Sequence, residues 1–363
     1  MKWLEARHLD SWAESTGARE RLSEIVAQLV RASAASIAEF DFPTGDSAQT
    51  PGYDGRLTAV PADAYRDFLP EGYSVWEWGT GEDCLEKANK DYKKRTQNPG
   101  QLVDQPHTTF VFVSARRWDS HKQTRAAWEA EKRGENKWLS VKAFDAGSLE
   151  AWFEKCPAVA ATVAREILRT LPVTGAVSAG EFWEEYSTQF KPRLREEALL
   201  AGREEQSKTM LQALNSGSQI HQWQGDSLAE VLAFMVACVR TSEENVKKFL
   251  ESRLLLLESK DAVRHLADAP NLIFAVKGEA AEVAGMLRDH HAVIFPLGRD
   301  SLRDSSAIRL NRPSSFELAE ALKKMDLDEA DCQRLALECD RSVTILAHRI
   351  PIAAPKRPRS STM

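Results

Sequence analysis

Two acidic residues and a lysine in the first third of the chain have the types and spacing that phosphodiester hydrolysis requires. Asp54 lies in the segment PGYDG, residues 51–55, and Glu77 lies late in SVWEW, residues 74–78. Carboxylates bind Mg²⁺ together with waters and phosphate oxygens. The metal lowers the pKa of a bound water, and a lysine such as Lys87 can act at the phosphate. We therefore predict that Asp54 and Glu77 bind Mg²⁺ or Mn²⁺ and that Lys87 completes the catalytic set.

Hydrophobic spacing predicts the elements that must position these residues. Alternating or continuous apolar runs indicate strands, and apolar residues three and four apart indicate helices. Strands are predicted at residues 36–42, 55–60, 74–78, 108–114 and 137–144, and helices at residues 18–33, 79–96, 117–132, 147–155 and 158–170. If the strands at 55–60 and 74–78 pair as a hairpin, Asp54 and Glu77 converge at one end of a sheet.

This order of elements, with Asp54 followed by Glu77, resembles the PD-(D/E)XK nuclease superfamily, which includes restriction endonucleases and Mrr-like nucleases. The resemblance covers residues 18 to about 145. Tyr53 stands before Asp54 in place of the proline of the motif, and Gly79 stands where the motif has lysine. Lys87 is the replacement that we favour, because lysines displaced to the next helix occur in this superfamily.

The resemblance implies a restriction-endonuclease-like mixed sheet over residues 1–172 and a nucleic-acid partner, with double-stranded DNA expected. Glu24 on the first helix stands where some members of the superfamily keep an accessory acid. Asp91 is the second accessory acid, because it shares a helix face with Lys87 and Lys94. Five basic residues are predicted to contact phosphate groups: Lys90, Lys94, Arg95, Arg116 and Arg117.

Each of these residues also has an ordinary structural explanation. Asp54 is flanked by Gly52 and Gly55, a setting that is common in turns. Glu77 could pair with a lysine, and the charged helix face could simply be solvated. A catalytically inactive protein that keeps the nuclease fold for binding or as a scaffold therefore stays open as the alternative to an enzyme.

The second half of the chain alternates strands with short helices, which is typical of a doubly wound parallel α/β domain. Strands are predicted at residues 219–224, 253–257, 271–276 and 292–297, with helices at residues 228–240, 260–267 and 279–288. This domain spans residues 216–310. We expect a helical connector over 173–215, a small helical unit over 311–350 and a disordered basic tail over 351–363.

Residues 203–350 resemble a degraded STAND or AAA-type ATPase module of bacterial antiphage proteins. A competent module has GxxxxGK[ST] between its first strand and helix, where backbone amides and a lysine bind phosphate. The corresponding segment, QIHQWQGDSLAEVLAF, has no lysine, and Asp226 would repel phosphate. Ser227 and Glu230 are better interpreted as the first residues of a helix. We therefore expect that this half binds no nucleotide. We expect it instead to contact a protein partner or a second copy of the chain.

Composition excludes several classes of protein. The formal net charge of −6 excludes a globally basic nucleic-acid binder and leaves a local basic patch. The five cysteines are scattered without a CxxC pair, so a disulfide framework and a zinc cluster are not expected. No run approaches the ~20 apolar residues of a membrane helix, and the charged start of the chain does not resemble a signal peptide. Composition thus predicts a cytoplasmic protein without membrane contact, and the two resemblances imply that it is an endonuclease of a bacterial defence system.

Overall fold

The computed structural model describes residues 2–43, 52–168, 175–301 and 306–349. The chain divides into two compact units, which consist of residues 1–174 with 268–271 and of residues 175–267 with 272–363. Most of the predicted loop before Asp54, the predicted boundary at residue 172 and the predicted basic tail lie outside the described residues.

The first unit contains a mixed five-stranded sheet in which the strands follow chain order. Its strands are β1 (Ala34–Asp41), β2 (Gly55–Pro61), β3 (Gly72–Gly79), β4 (Thr109–Ser114) and β5 (Ser140–Phe144). Strands β1, β2 and β3 pair antiparallel, whereas β3, β4 and β5 pair parallel. A mixed sheet in this part of the chain is what the sequence predicted.

Six helices accompany this sheet within the described residues. They are α1 (Ala6–Trp12), α2 (Ala18–Ser33), α3 (Cys84–Gln97), α4 (Arg125–Gly134), α5 (Ala146–Lys155) and α6 (Pro157–Leu168). The predicted start of α3 at residue 79 is wrong. The carboxylate of Asp83 caps this helix by accepting a hydrogen bond from the backbone N–H of Glu86 at 2.8 Å. The predicted start of α4 at residue 117 is wrong as well, because Thr124 caps it.

Strand β3 is covered on both faces. Its residue Val75 packs in a buried cluster with Leu85, Ala88 and Tyr92 of α3. Because side chains alternate along a strand, Glu77 lies on the same face of β3 as Val75. The fold therefore directs Glu77 towards α3.

The second unit contains a six-stranded sheet with the order β11-β7-β10-β9-β8-β6. Its strands are β6 (Ala176–Ser178), β7 (Gln219–Gln224), β8 (Leu254–Leu257), β9 (Ile273–Val276), β10 (Ala292–Leu297) and β11 (Ile308–Arg309). Strands β7 to β11 are parallel. The four strands β7 to β10 were predicted, whereas β11 was not. The sheet as a whole is mixed, because β6 pairs antiparallel with β8. Strand β6 lies in the segment predicted to be a helical connector, and that part of the prediction is wrong.

The described part of this unit has ten α-helices. They are α7 (Ala179–Thr188), α8 (Glu196–Leu200), α9 (Glu204–Leu214), α10 (Leu228–Thr241), α11 (Glu244–Glu251), α12 (Lys260–Leu266), α13 (Glu279–Glu282), α14 (Ser315–Lys323), α15 (Glu329–Glu338) and α16 (Val343–Arg349). All of them except α12 and α13 contribute buried residues to one hydrophobic core. Helix α10 is apolar around its circumference and packs with Trp183 of α7, Leu322 of α14 and Leu346 of α16. The segments predicted as connector and small helical unit are therefore parts of this core.

In the part of the chain that the structure describes, no helix combines the length and the apolar character needed to cross a membrane.

Candidate active site

The register of β2 and β3 brings Asp54 and Glu77 together. Gly55 pairs with Trp76 across this antiparallel pair, so Asp54 lies opposite Glu77 where β2 begins. Side chains that are directly opposite on antiparallel strands share one face. The carboxylate of Asp54 is held in place, because its Oδ2 accepts a hydrogen bond from the backbone N–H of Trp78 at 2.9 Å. Asp54 and Glu77 therefore converge at one end of the sheet, as the sequence predicted.

Helix α3 adds a row of charged side chains above these carboxylates. Lys87, Asp91 and Arg95 are spaced four residues apart and therefore lie along one face of the helix. The Lys87 Nζ atom lies 2.8 Å from Asp91 Oδ2 and 3.1 Å from Asp91 Oδ1. Asp91 and Arg95 are buried, whereas Lys94, which was predicted to share this face, is exposed. Lys87 and Asp91 lie as predicted, but Arg95 takes the place assigned to Lys94.

The side chain of Lys87 crosses the strand position where the nuclease motif has its lysine. A Cβ atom at Gly79 would lie 3.0 Å from both Cγ and Cε of Lys87. That distance is shorter than ordinary van der Waals contact, so a side chain at position 79 would require the Lys87 stem to shift by a few tenths of an ångström. The glycine at position 79 and the stem of Lys87 are therefore structurally complementary.

The role of Arg95 at this site was not predicted from the sequence. Its Nε donates a hydrogen bond to Glu77 Oε1, and its Nη2 donates one to the carbonyl oxygen of Gly52. Its guanidinium carbon lies 4.4 Å from the ring centre of Tyr53. The spacing of four residues from Asp91 was the signal that could have placed it here.

Two of the five basic residues that were predicted to contact phosphate groups bind groups within the protein instead. The prediction is therefore wrong for these two residues. Arg95 is bound as described above. Arg116 is buried; its Nε donates to the carbonyl oxygen of Thr80 at 3.0 Å, and its Nη1 donates to that of Asp10 at 2.9 Å. Lys90, Lys94 and Arg117 are exposed.

The electrostatics at Glu77 favour a cation. Glu77 is only 4% exposed. Burial and the neighbouring Asp54 carboxylate raise the pKa of Glu77 to about 8, and the charge of Arg95 opposes this rise. Asp91 is also near enough to raise it. A divalent cation between Asp54 and Glu77 would relieve the repulsion that raises the pKa.

Each of the two carboxylates has one oxygen engaged within the protein and one oxygen that no described residue binds. Asp54 uses Oδ2 and Glu77 uses Oε1 for the contacts described above. Asp54 Oδ1 and Glu77 Oε2 accept no hydrogen bond from another described residue. No group of three His, Cys, Asp or Glu side chains within the described ranges is arranged to hold a metal. Mg²⁺ nevertheless needs only one or two protein carboxylates when phosphate and water complete its coordination.

Glu24 is not connected to these carboxylates by any contact among the described residues. It forms an ion pair with Arg21 of the same helix. Arg21 also donates from Nε to Glu166 Oε2 on α6 at 2.8 Å. The structure thus places one proposed accessory acid, Asp91, close to Glu77, and engages the other in a surface ion-pair network.

Side chains of the protein itself bind the backbone N–H groups at the start of α10 in the second unit. Ser227 caps the helix, as predicted, because its hydroxyl accepts a hydrogen bond from the backbone N–H of Glu230 at 3.1 Å. Glu230 Oε2 accepts from the backbone N–H of Asp226 at 3.1 Å and from the hydroxyl of Thr344 at 3.0 Å. Glu230 Oε1 lies 2.7 Å from Arg203 Nη2, and both side chains are 1% exposed.

No protein-family model matches the chain, and a comparison with curated proteins finds no match. The chemistry of the site is therefore inferred from its residues. Asp54 and Glu77 offer carboxylate oxygens, Lys87 offers a partly exposed ammonium group, and Asp91 and Arg95 hold these groups in position.

Proposed function

We propose that the first unit is a metal-dependent endonuclease with a restriction-endonuclease-like fold, acting on nucleic acid in a bacterial defence system. Double-stranded DNA is the expected substrate. The observation that supports this function best is the convergence of Asp54 and Glu77 beneath α3, with the stem of Lys87 lying over Gly79. A carboxylate pair and a lysine on one sheet face are the groups that phosphodiester hydrolysis requires.

Each residue of the proposed site has a distinct role. Asp54 and Glu77 bind Mg²⁺ or Mn²⁺ through the oxygens that the protein leaves unused. When bound, the metal supplies a water of lowered pKa and neutralises charge that develops on the phosphate. Lys87, about one third exposed, donates hydrogen bonds to a phosphate oxygen or to the attacking water. Asp91 orients the Lys87 ammonium group through their ion pair.

A short basic surface supports a nucleic-acid partner. Lys90 and Lys94 are exposed on α3, and Arg117 is exposed just after β4. Lysine and arginine contacts to phosphates position a duplex without selecting its sequence. Because the chain has a net charge of −6, this attraction has to be local.

Plasmid nicking with Mg²⁺ or Mn²⁺ tests the proposed function directly. We expect the wild-type protein to nick, and Asp54→Ala and Glu77→Ala to lose the activity, because each removes a metal ligand. Glu86→Ala is the matched control, since Glu86 is an exposed acid on α3, and it should nick at the wild-type rate. Equal cleavage by the wild-type protein and both site variants would contradict the assignment.

An inactive nuclease fold that binds nucleic acid or acts as a scaffold is the second candidate. It is favoured by the fact that Glu77 and Asp91 each already have a cationic partner within the chain, in Arg95 and Lys87. A wild-type protein that shifts DNA in a gel but does not nick it with either metal would support this candidate.

We propose further that the second unit is an ATPase-like regulatory module that works without a nucleotide. The backbone N–H of Asp226, which a phosphate would need at the start of α10, is bound by Glu230. The Asp226 carboxylate itself binds Arg312, with Nε–Oδ2 and Nη2–Oδ1 distances of 2.9 and 3.0 Å. Contacts with a protein partner or a second copy of the chain are the remaining way for this unit to act.

A further inference from the structure

Arg95 extends from α3 to both segments that carry the carboxylates of the site. Through Nε it binds Glu77 on β3, and through Nη2 it binds the carbonyl oxygen of Gly52, two residues before Asp54. One guanidinium group therefore links the strand of one proposed ligand to the backbone that leads into the other.

This guanidinium group is held firmly. The Arg95 side chain is 10% exposed and lies over the ring of Tyr53 at 4.4 Å. The hydroxyl of Tyr53 in turn donates to the carbonyl oxygen of Pro99 at 3.0 Å, just beyond the end of α3. Because the arginine fork is planar and presents its donors in fixed directions, the two acceptors are held in fixed relative positions.

We propose that Arg95 is a positioning residue, which sets the distance and orientation between Asp54 and Glu77 for cation binding. This inference rests on the proposed metal-dependent function. The contact to Glu77 Oε1 fixes one oxygen of that carboxylate, and the contact to Gly52 holds the segment before Asp54. Partners that orient metal ligands in this way typically change metal affinity by about 10–100-fold when they are removed.

Whether the removal of Arg95 weakens or strengthens cation binding distinguishes a positioning role from a purely electrostatic one. A fixed positive charge beside two carboxylates repels a divalent cation. If charge were all that Arg95 contributed, its removal would strengthen cation binding. If Arg95 positions the ligands, its removal weakens cation binding in spite of the lost repulsion.

The test is Mn²⁺ binding to the full chain, measured by the electron paramagnetic resonance signal of free Mn²⁺ in a titration. We expect Arg95→Met to bind Mn²⁺ about 10–100-fold more weakly than the wild-type protein. Arg95→Lys keeps the charge but cannot reach both acceptors, so it should bind more weakly by a smaller factor. Lys93→Met is the matched control, because it removes an exposed charge from the same helix, and it should bind at least as tightly as the wild-type protein.

The outcomes distinguish this inference from the proposed function. If the wild-type protein binds Mn²⁺ and both Arg95 variants bind it as tightly or more tightly, the positioning role is wrong and the metal site remains. If the wild-type protein binds no Mn²⁺, the proposed function and this inference are both wrong. Circular dichroism verifies that each variant folds. If Arg95→Met does not fold, the Mn²⁺ affinity of Arg95→Lys alone tests the positioning role.

Discussion

Glu77 is buried beside a second carboxylate, and its ionisation therefore opposes folding in the metal-free protein. Its pKa rises from 4.5 to about 8, mainly through burial and secondly through Asp54. Between these two values the folded protein keeps a proton that the unfolded chain has lost. The stabilisation is complete below the lower value and is lost as the pH rises through the higher one.

We expect Glu77→Gln to remove this pH dependence. In the presence of a chelator, the unfolding free energy of the wild-type protein should fall between pH 5 and pH 8 more steeply than that of the variant, by at most about 1.4 kcal/mol per pH unit. Urea unfolding at four pH values measures this difference. Glu86→Gln, which changes an exposed acid, should keep the wild-type slope, and parallel curves for wild type and Glu77→Gln would contradict the prediction.

At the scale of elements, β3 and α3 fit together through one glycine and one lysine. The apolar stem of Lys87 lies on Gly79, while its charged end reaches Asp91. Long basic side chains often cover a neighbouring surface in this way while the charge remains solvated or paired. The Lys87 side chain therefore adds to the packing of α3 on β3, and the same contact places its ammonium group beside Asp91.

This contact predicts coupling between positions 79 and 87. Lys87→Ala should lower plasmid nicking about 100-fold or more, because it removes a donor to developing charge. Gly79→Lys alone should lower the unfolding free energy by about 1–3 kcal/mol, because its Cβ meets the Lys87 stem. The double variant has room for the new lysine, so it should regain stability and part of the nicking activity.

Lys93→Ala, an exposed lysine on the same helix, controls for the general loss of a charge and should nick within a few-fold of the wild-type rate. A double variant that is no more active than Lys87→Ala, together with a fully stable Gly79→Lys protein, would show that the two positions are independent. Thermal melts and nicking rates of the four proteins complete the mutant cycle.

At the scale of the whole molecule, the second unit contains a buried ion pair at the start of α10, where the proposed ATPase-like module would have to bind a phosphate. Arg203 donates to the carbonyl oxygens of Leu199 at 3.1 Å and Asn311 at 2.6 Å, as well as to Glu230. Breaking a buried pair by removing one partner typically costs about 3–5 kcal/mol. A phosphate group at the start of α10 would displace Glu230 and leave Arg203 without its partner.

We therefore expect ATP with Mg²⁺ to leave the thermal unfolding of the full chain unchanged beyond the effect of Mg²⁺ alone. A ligand that binds the folded state raises stability with its concentration, following RT ln(1 + [L]/Kd). Titration of the melting temperature with ATP detects such binding, and Mn²⁺ is the positive control for the first unit. A saturable rise with ATP would contradict the nucleotide-free module.

Local patterns in the sequence were sufficient to predict most elements of both units. The strands β2, β3 and β4 and the helix α10 are long or strongly apolar, so hydrophobic spacing identifies them. The strand β6 was missed because it has only three residues. Its identity as a strand depends on pairing with β8, about 80 positions away along the chain.

For the candidate site, residue types and strand ends were enough to predict that Asp54 and Glu77 converge at one end of the sheet. Only the tertiary structure decided that Arg95 faces inward while Lys94 faces solvent. Successive residues of a helix point about 100° apart, so two adjacent basic residues cannot both face β3. Which of them does so depends on how α3 docks on the sheet, and that is a long-range contact that no local pattern records.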